Sequence, residues 1–415
     1  MIDTQQLLLE RGKRVADAVA LKKPDRVPIA CLWDFFPAKW KGVSVKDAMY
    51  NHELMFETWG ECMEHFAPDT VDNPFPLRGF GPLLDRLDFQ HLRWAGRGLD
   101  ENTGYQFVEL EVMKAEEYDH FLYDMSDFMV RRFWPRVYKA FAPLEKLPPL
   151  NQVISYFWGI HNALFLLSPE MESVRTAMIE AGKASAETLK WAAAYGKKMA
   201  ELGFPPSYGG FSQVPFDTLG DFFRGTKGIM MDLYRRPDKV MSACEKILPI
   251  MIDTAIASTK RTGVPTVFIP LHKGLDNFMS AQQFQKFYWP HMKELLDAFI
   301  REGITPWVLV EGVCNKRLEA FRDVPPGKVI YHFEATDIFL AKKMMQDRCC
   351  IRGNVPMSLL TVGTPEDVKA YCKKLIDGCA VDGGFIMDAA APLSDARPEN
   401  VQAMFDFTKD YGARI

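Results

Sequence analysis

PWVLVEGVCNKRLEAFRDVPPGKVIYHFE, residues 306–334, sets two short apolar runs on either side of a stretch of helical period. The runs PWVLVEG (306–312) and KVIYHFE (328–334) are strand-length, and the segment between them is long enough for a crossover helix. The same alternation extends outward to TVFIPLH (266–272), RCCIRGN (348–354) and GGFIMDA (383–389). Strands separated by helical stretches predict parallel βα units. The helices carry their own start and stop marks. Ser280 and Gln283 make a capping box ahead of FQKFYWPHMKELLDAFI, and Pro290 must kink or split that helix. Thr364 caps PEDVKAYCKKLIDG with Pro365 at its first position. Val368, Tyr371, Cys372, Leu375 and Ile376 form its apolar stripe, and Gly378 is its stop. Pro398 opens a last helix through Val401, Met404 and Phe405.

The N-terminal half is coarser. DRVPIACLW (25–33) and APDTVDN (67–73) read as strands flanking the helical SVKDAMYNHELMFETWGECMEHF. Residues 75–150, rich in Pro, Phe, Trp and Arg, read as an insertion over a barrel mouth, with a hairpin around the Asn102–Gly104 turn. PSYGGFSQVPFD (206–217) reads as a loop after the helix of residues 168–202. About eight strands result, which predicts an α/β fold of the (β/α)8 TIM-barrel type, one domain over residues 1–415 with an N-terminal helical extension.

Composition narrows the function. A formal net charge of -4, with hydrophobic residues at 48% and aromatics at 13%, gives a large core and no basic excess, so nucleic acid is not expected as a partner. There is no Gly-rich nucleotide fingerprint or P-loop. Eight cysteines without a CxxC pair predict reduced thiols in a cytoplasmic setting. The opening MIDTQQLLLERGKRVADAVA lacks a signal-peptide core, and no run approaches the ~18 apolar residues of a membrane span, so no membrane partner is expected.

Chemistry in such barrels gathers where the strands end. Those positions hold His272, Glu311, His332, Asn354 and Asp388. A single histidine there is more often a satisfied core or rim residue. A buried Glu311 is harder to dismiss, because an unpaired carboxylate would cost several kcal/mol or take up a proton. A cation would neutralise it, and so would Arg317 or Lys316 on the following turn. His272, Glu311 and His332 match the three-ligand set of an open zinc site. Cys314 is an alternative ligand, Asp276 is a weaker one, and Glu334 suits ligation or second-layer support. Asp388 is a further candidate catalytic residue. LWDFFPAKW supplies Trp33, Asp34, Phe35 and Phe36 beyond the first strand, and ISYFWGIH supplies Tyr156 and Trp158. Most such aromatics are core, but those near the first strand end are placed to line a cleft for a flat apolar substrate, with Asn354 as a polar contact.

KKPDRVPIACLW (22–33), RGNVPMSLLTVGTPEDVKAYCKKLIDG (352–378) and GGFIMDAAAPLSDARPENVQAMFDFTKDYG (383–412) together resemble the superfamily of uroporphyrinogen decarboxylases and corrinoid-dependent methyltransferases, over nearly the whole chain. The resemblance implies a (β/α)8 barrel. The decarboxylases follow the first strand with an arginine-rich stretch that holds substrate carboxylates, whereas WDFFPAKW has no arginine. Thiol-charging methyltransferases carry a His-x-Cys pair where Leu309 and Glu311 stand, and a final-loop cysteine where Ala391 stands. The closer resemblance is to the substrate-demethylating methyltransferases of anaerobic O-demethylase systems, which have zinc on glutamate and histidine. The spacing of 21 positions from Glu311 to His332 agrees with them. Their upstream glutamate falls at Leu296, and His272 takes its place as third ligand. What this implies is cleavage of a methyl ether, most simply on a methoxylated aromatic, with the methyl group passed to a corrinoid (cobalamin) on a cognate partner protein. The competing expectations are a metal-free lyase of the decarboxylase type, with Asp34 or Asp388 moving the proton, and a non-catalytic corrinoid-binding homologue in which Glu311 pairs with Arg or Lys.

Overall fold

The computed structural model describes residues 3–151 and 159–414. An antiparallel hairpin of β1 (Leu92–Ala95) and β3 (Tyr105–Phe107), flanked by β2 (Gly98–Leu99), stands in the insertion, with Arg93 opposite Gln106. The second sheet is wholly parallel. It runs in the order β4 (Gly210–Phe211), β5 (Thr266–Leu271), β6 (Thr305–Val310), β7 (Ile330–Phe333), β8 (Cys350–Arg352) and β9 (Phe385–Ile386). Spatial order equals chain order, which is the arrangement that repeated helical crossovers produce.

The crossovers are the helices the capping signals predict. Ser280 and Gln283 exchange both capping-box hydrogen bonds, and Thr364 does the same with Asp367. Pro290 splits its helix as expected. The turn Phe284–Tyr288 widens to π geometry, and a fresh helix, Trp289–Arg301, starts with the proline in its first turn, where no N–H is needed.

Ladder bonds continue past both edges of the sheet. Beyond β9, Ala30 donates to the Met387 carbonyl and Met387 to that of Pro28, at 3.1 and 2.8 Å. Asp69 N–H donates to the Ile29 carbonyl, and Ser207 to that of Val71, both at 2.8 Å, which leads back toward β4. Residues 25–33 and 67–73 thus enter the sheet as bridges rather than full strands.

Successive strand residues face opposite sides. Val267, Ile269, Val308, Val310, Tyr331, Phe333 and Ile351 pack in the large core with the helices. Phe268, Trp307, Leu309, Ile330, Cys350 and Ile386 form a second buried cluster, which Ala18, Val15 and Val19 of the helix Thr4–Val19 join. Burial of both faces is what a parallel sheet requires. All eight cysteines are free and buried. Among the described residues no helix is long and apolar enough to cross a membrane.

Candidate active site at the strand ends

Parity along the strands assembles the site. His272, Glu311, His332, Arg352, Asn354 and Asp388 stand an even number of positions beyond the clustered Phe268, Trp307, Ile330, Cys350 and Ile386, so they continue the same face toward the C-terminal strand ends.

At one side, His272 links three carboxylates. Its Nδ1 lies 2.6 Å from Asp221 Oδ2, and its Nε2 lies 3.5 Å from Glu311 Oε2. Asp217 fixes the backbone there by accepting the N–H groups of His272 and Lys273 at 3.1 and 2.8 Å and the Tyr288 hydroxyl at 2.5 Å. Lys273 Nζ donates to Asp221 Oδ1 at 2.5 Å. Both aspartates come from one short stretch, the helix Pro215–Thr218 running into a π-helical turn, Leu219–Arg224, and their four-residue spacing puts them on one face. Gly220 lies between them because a Cβ there would sit 2.5 Å from Lys273 Cε. Burial pulls the His272 imidazole down, but Asp221 and Glu311 outweigh it and hold its pKa at about 11. Burial opposes ionisation of Asp221 as well, yet His272 and Lys273 hold its carboxyl below the usual range. Burial lifts Asp217 to about 6.

The structure corrects two expectations about Glu311. Its side chain is 43% exposed, so no burial penalty demands a cation. Arg317 does not clasp it, because that guanidinium donates to the Met279 carbonyl at 2.6 Å and faces Asp276. Nor does any ion pair join the Lys316 ammonium to Glu311 among the described residues, where His272 is the basic side chain within reach of that carboxylate. Cys314 is buried with its thiol toward the Gly274 carbonyl.

His332 belongs to a different group. It is fully buried, stacks on Trp307 with centroids 6.2 Å apart, and donates from Nε2 to the Ala389 carbonyl at 2.8 Å. Burial keeps it neutral, so Nδ1 carries a lone pair, 3.6 Å from Asp388 Oδ2. Asp388 in turn accepts from Arg352 Nε at 2.7 Å, and the Arg352 guanidinium lies over Trp307 at 3.9 Å. No contact joins His332 to His272 or Glu311 among the described residues, and none of their His, Cys, Asp and Glu side chains gather in threes suited to a metal ion. The three expected zinc ligands are therefore a pair and an outlier. Asn354 Nδ2 donates to the carbonyls of Glu334 and Thr336 at 3.3 and 3.4 Å.

The aromatic wall expected from LWDFFPAKW is core. Trp33, Phe35 and Phe36 are at most 2% exposed, and Trp33 packs on Phe66 and Phe405. The period-2 logic fails there because a helix, Phe36–Lys41, begins at once. Of Trp33, Asp34, Phe35 and Phe36, only Asp34 and Phe35 border the open side, Phe35 by one edge of a ring that is otherwise buried. Asp34 adopts a left-handed conformation (φ 46°), pairs with Arg78 and accepts from Ser394. Arg78 lies over the rings of Phe35 and Tyr105, and Asp34 and Tyr105 line a cavity of about 1040 Å³. Tyr156 and Trp158 lie outside the described residues.

Residues 180–411 match the uroporphyrinogen decarboxylase (URO-D) family. The chain belongs to that family. Among curated URO-D proteins it is similar to the uroporphyrinogen decarboxylase of Chlorobium luteolum, 24% identical over 187 residues, 44% of this chain and 52% of that protein. The one from Chlorobium phaeobacteroides is 23% identical over 183 residues, 43% and 51%. The chain spans about half the length of the curated relatives it matches. Its structure resembles that of a methyltransferase from Methanosarcina mazei with a TM-score of 0.61 at 14% identity, over 97% of this chain and 98% of the other. At that identity the likeness concerns the fold.

Within this URO-D family chain, sequence reasoning missed Asp217, Asp221, Lys273, Tyr288, Arg78 and Arg352. A signal for the first two was present in DTLGD, whose i, i+4 carboxylates share a helical face, but the Gly- and Pro-rich surroundings read as loop.

Proposed function

We propose that this URO-D family chain is a methyltransferase with a (β/α)8 barrel, which cleaves a methyl ether, most simply of a methoxylated aromatic, and passes the methyl group to the cobalt of a corrinoid carried by a separate protein. Zinc would be held by His272 and Glu311. Eight parallel segments linked edge to edge by ladder bonds support the barrel.

The observation that carries the reading is the line Asp221–His272–Glu311. Metal-binding histidines usually give their other ring nitrogen to a carboxylate, as His272 does to Asp221. The 3.5 Å between Nε2 and Oε2 is close to the ~3.4 Å separating two ligands on a tetrahedral zinc with bonds near 2.0–2.1 Å. These two residues fit the ion; His332, which donates from Nε2 to a backbone carbonyl, turns its remaining Nδ1 lone pair toward Asp388 at 3.6 Å rather than toward His272 and Glu311. Zinc bound there would stabilise negative charge on a departing oxygen, as it lowers the pKa of bound water from about 15.7 to about 7. Asp221 fixes the imidazole's orientation, and Asp217 fixes the backbone that presents it. The corresponding experiment measures zinc in purified protein and methyl transfer from methoxybenzenes to a corrinoid protein. His272→Ala and Glu311→Gln should lose metal and activity together, while His332→Ala keeps metal; if the first two retain stoichiometric zinc, the reading is wrong.

A metal-free lyase is the second reading, favoured by the names of the Chlorobium relatives and by Arg78 and Arg352 facing the same side as Glu311. Both guanidiniums are already paired, with Asp34 and Asp388. Full activity after chelation would favour it.

A further inference from the structure

A second cavity, of about 470 Å³, opens where β7, β8 and the last loop end. It lies next to the proposed centre, because Glu334, on its wall, donates its backbone N–H to the carbonyl of Val310, the residue before Glu311. Ile338, Phe339, Pro356, Met357, Ala390 and Ala391 supply an apolar lining of aromatic-ring size. The polar groups on that wall are nearly all engaged. Asp337 caps a helix by accepting from Phe339 and Leu340, Thr336 donates to the Gly312 carbonyl, and Asn354 bonds to two carbonyls. The Glu334 carboxylate has no hydrogen-bond or ion-pair partner among the described residues. Two carboxylates and no Lys, Arg or His line the space. The ammonium of Lys374 sits over the Phe339 ring at 4.9 Å and is not part of the lining.

Resting on the methyltransferase reading, we propose that this cavity, rather than the Trp33–Phe36 segment, holds the ring of the substrate, and that the substrate is an uncharged alkoxyphenol whose hydroxyl donates to Glu334. An aromatic acid would meet two like charges with no compensating cation. A phenol gains a charge-assisted hydrogen bond while its ring replaces water on an apolar wall.

Calorimetric binding to the purified protein, without corrinoid protein, tests this with 2-methoxyphenol, 1,2-dimethoxybenzene and 2-methoxybenzoate. The phenol should bind tightest, the dimethoxy compound about tenfold more weakly, as the loss of one hydrogen bond near 1.4 kcal/mol implies, and the benzoate not measurably. Glu334→Gln should erase most of the phenol's advantage. Ala391→Phe and Met357→Trp, both at partly exposed positions, should abolish binding while melting like the parent. Equal or tighter binding of the benzoate, wild-type binding by both filled variants, or no binding of any probe overturns the proposal. If binding behaves as stated but no methyl group reaches a corrinoid, the cavity assignment stands and the methyltransferase reading falls. Demethylation with unchanged KM in the filled variants would instead overturn the cavity assignment and leave the methyltransferase reading standing.

Discussion

Asp217 and Tyr288 meet in the interior with Oδ2 and the phenol oxygen 2.5 Å apart, and the same carboxylate holds the backbone of His272 and Lys273. Tyr288→Phe removes one donor from a carboxylate that is fully buried. Leaving such a group short of a partner costs about 1–3 kcal/mol. Chemical denaturation should show that loss, and if the proposed zinc site on His272 and Glu311 holds, its affinity should fall because the strand end presenting His272 loosens. Stability within error of wild type would remove Asp217 from the set of supports.

Gly220→Ala tests the same region by volume rather than charge. The new Cβ would lie 2.5 and 2.6 Å from Lys273 Cε and Cδ. Lys273 is 7% exposed and bonded to Asp221, so its chain can move only by giving up that ion pair. The expected loss is about 1–3 kcal/mol, in the range for overpacking a core. Asp221 would then be left to His272 and a long hydrogen bond from Gln213, and a thermal melt would register the change.

Asp69 ties the second parallel segment to the N-terminal helix. Its carboxylate, with no exposure, accepts from Arg14 at 2.6 Å, from Arg26 at 2.8 Å and from the Ile29 N–H at 2.8 Å. Asp69→Ala takes from Arg26 its carboxylate partner and leaves Arg14, 8% exposed, with Asp25 alone. Removing one partner of a buried ion pair costs about 3–5 kcal/mol. Urea titration should find a shift of that size; one below about 1 kcal/mol would mean water reaches the pair.

The strands from β5 to β8 and their helices were legible because local signals agreed: short apolar runs, capping boxes at Ser280 and Thr364, and Pro290 at a helix start. The segments at 28–30 and 69–71 were legible as extended chain but make only isolated bridges with one or two ladder bonds to each neighbour, since what completes them is distant backbone, which local sequence does not encode. The site was legible to the extent that parity was. His272, Glu311, His332 and Asp388 do share one face, but depth along that face separates exposed Glu311 from fully buried His332. Depth depends on stagger between strands, and no pattern within one strand reveals it. The aromatic run misled for a similar reason: its partners Phe66 and Phe405 are far away in the chain.

Asp72 provides a test by pH. It follows the Val71 bridge, its Oδ1 is buried without a hydrogen bond, and burial raises its pKa from 3.8 to about 6 even though Arg78 pulls the other way. A carboxyl whose folded pKa lies above its unfolded one binds more protons when folded, so the native state is favoured by low pH and loses that advantage as pH rises from about 4 to about 6. Above that window the folded protein carries an unfavourable charge worth up to about 3 kcal/mol, from roughly two units at ~1.36 kcal/mol each. Asp72→Asn has no such charge. Its stability relative to wild type should therefore increase between pH 4.5 and 6.5 and stay level from pH 7 to 8, measured by denaturant unfolding at each pH. A difference that does not change across this range would show that solvent or Arg78 already satisfies the Asp72 carboxylate.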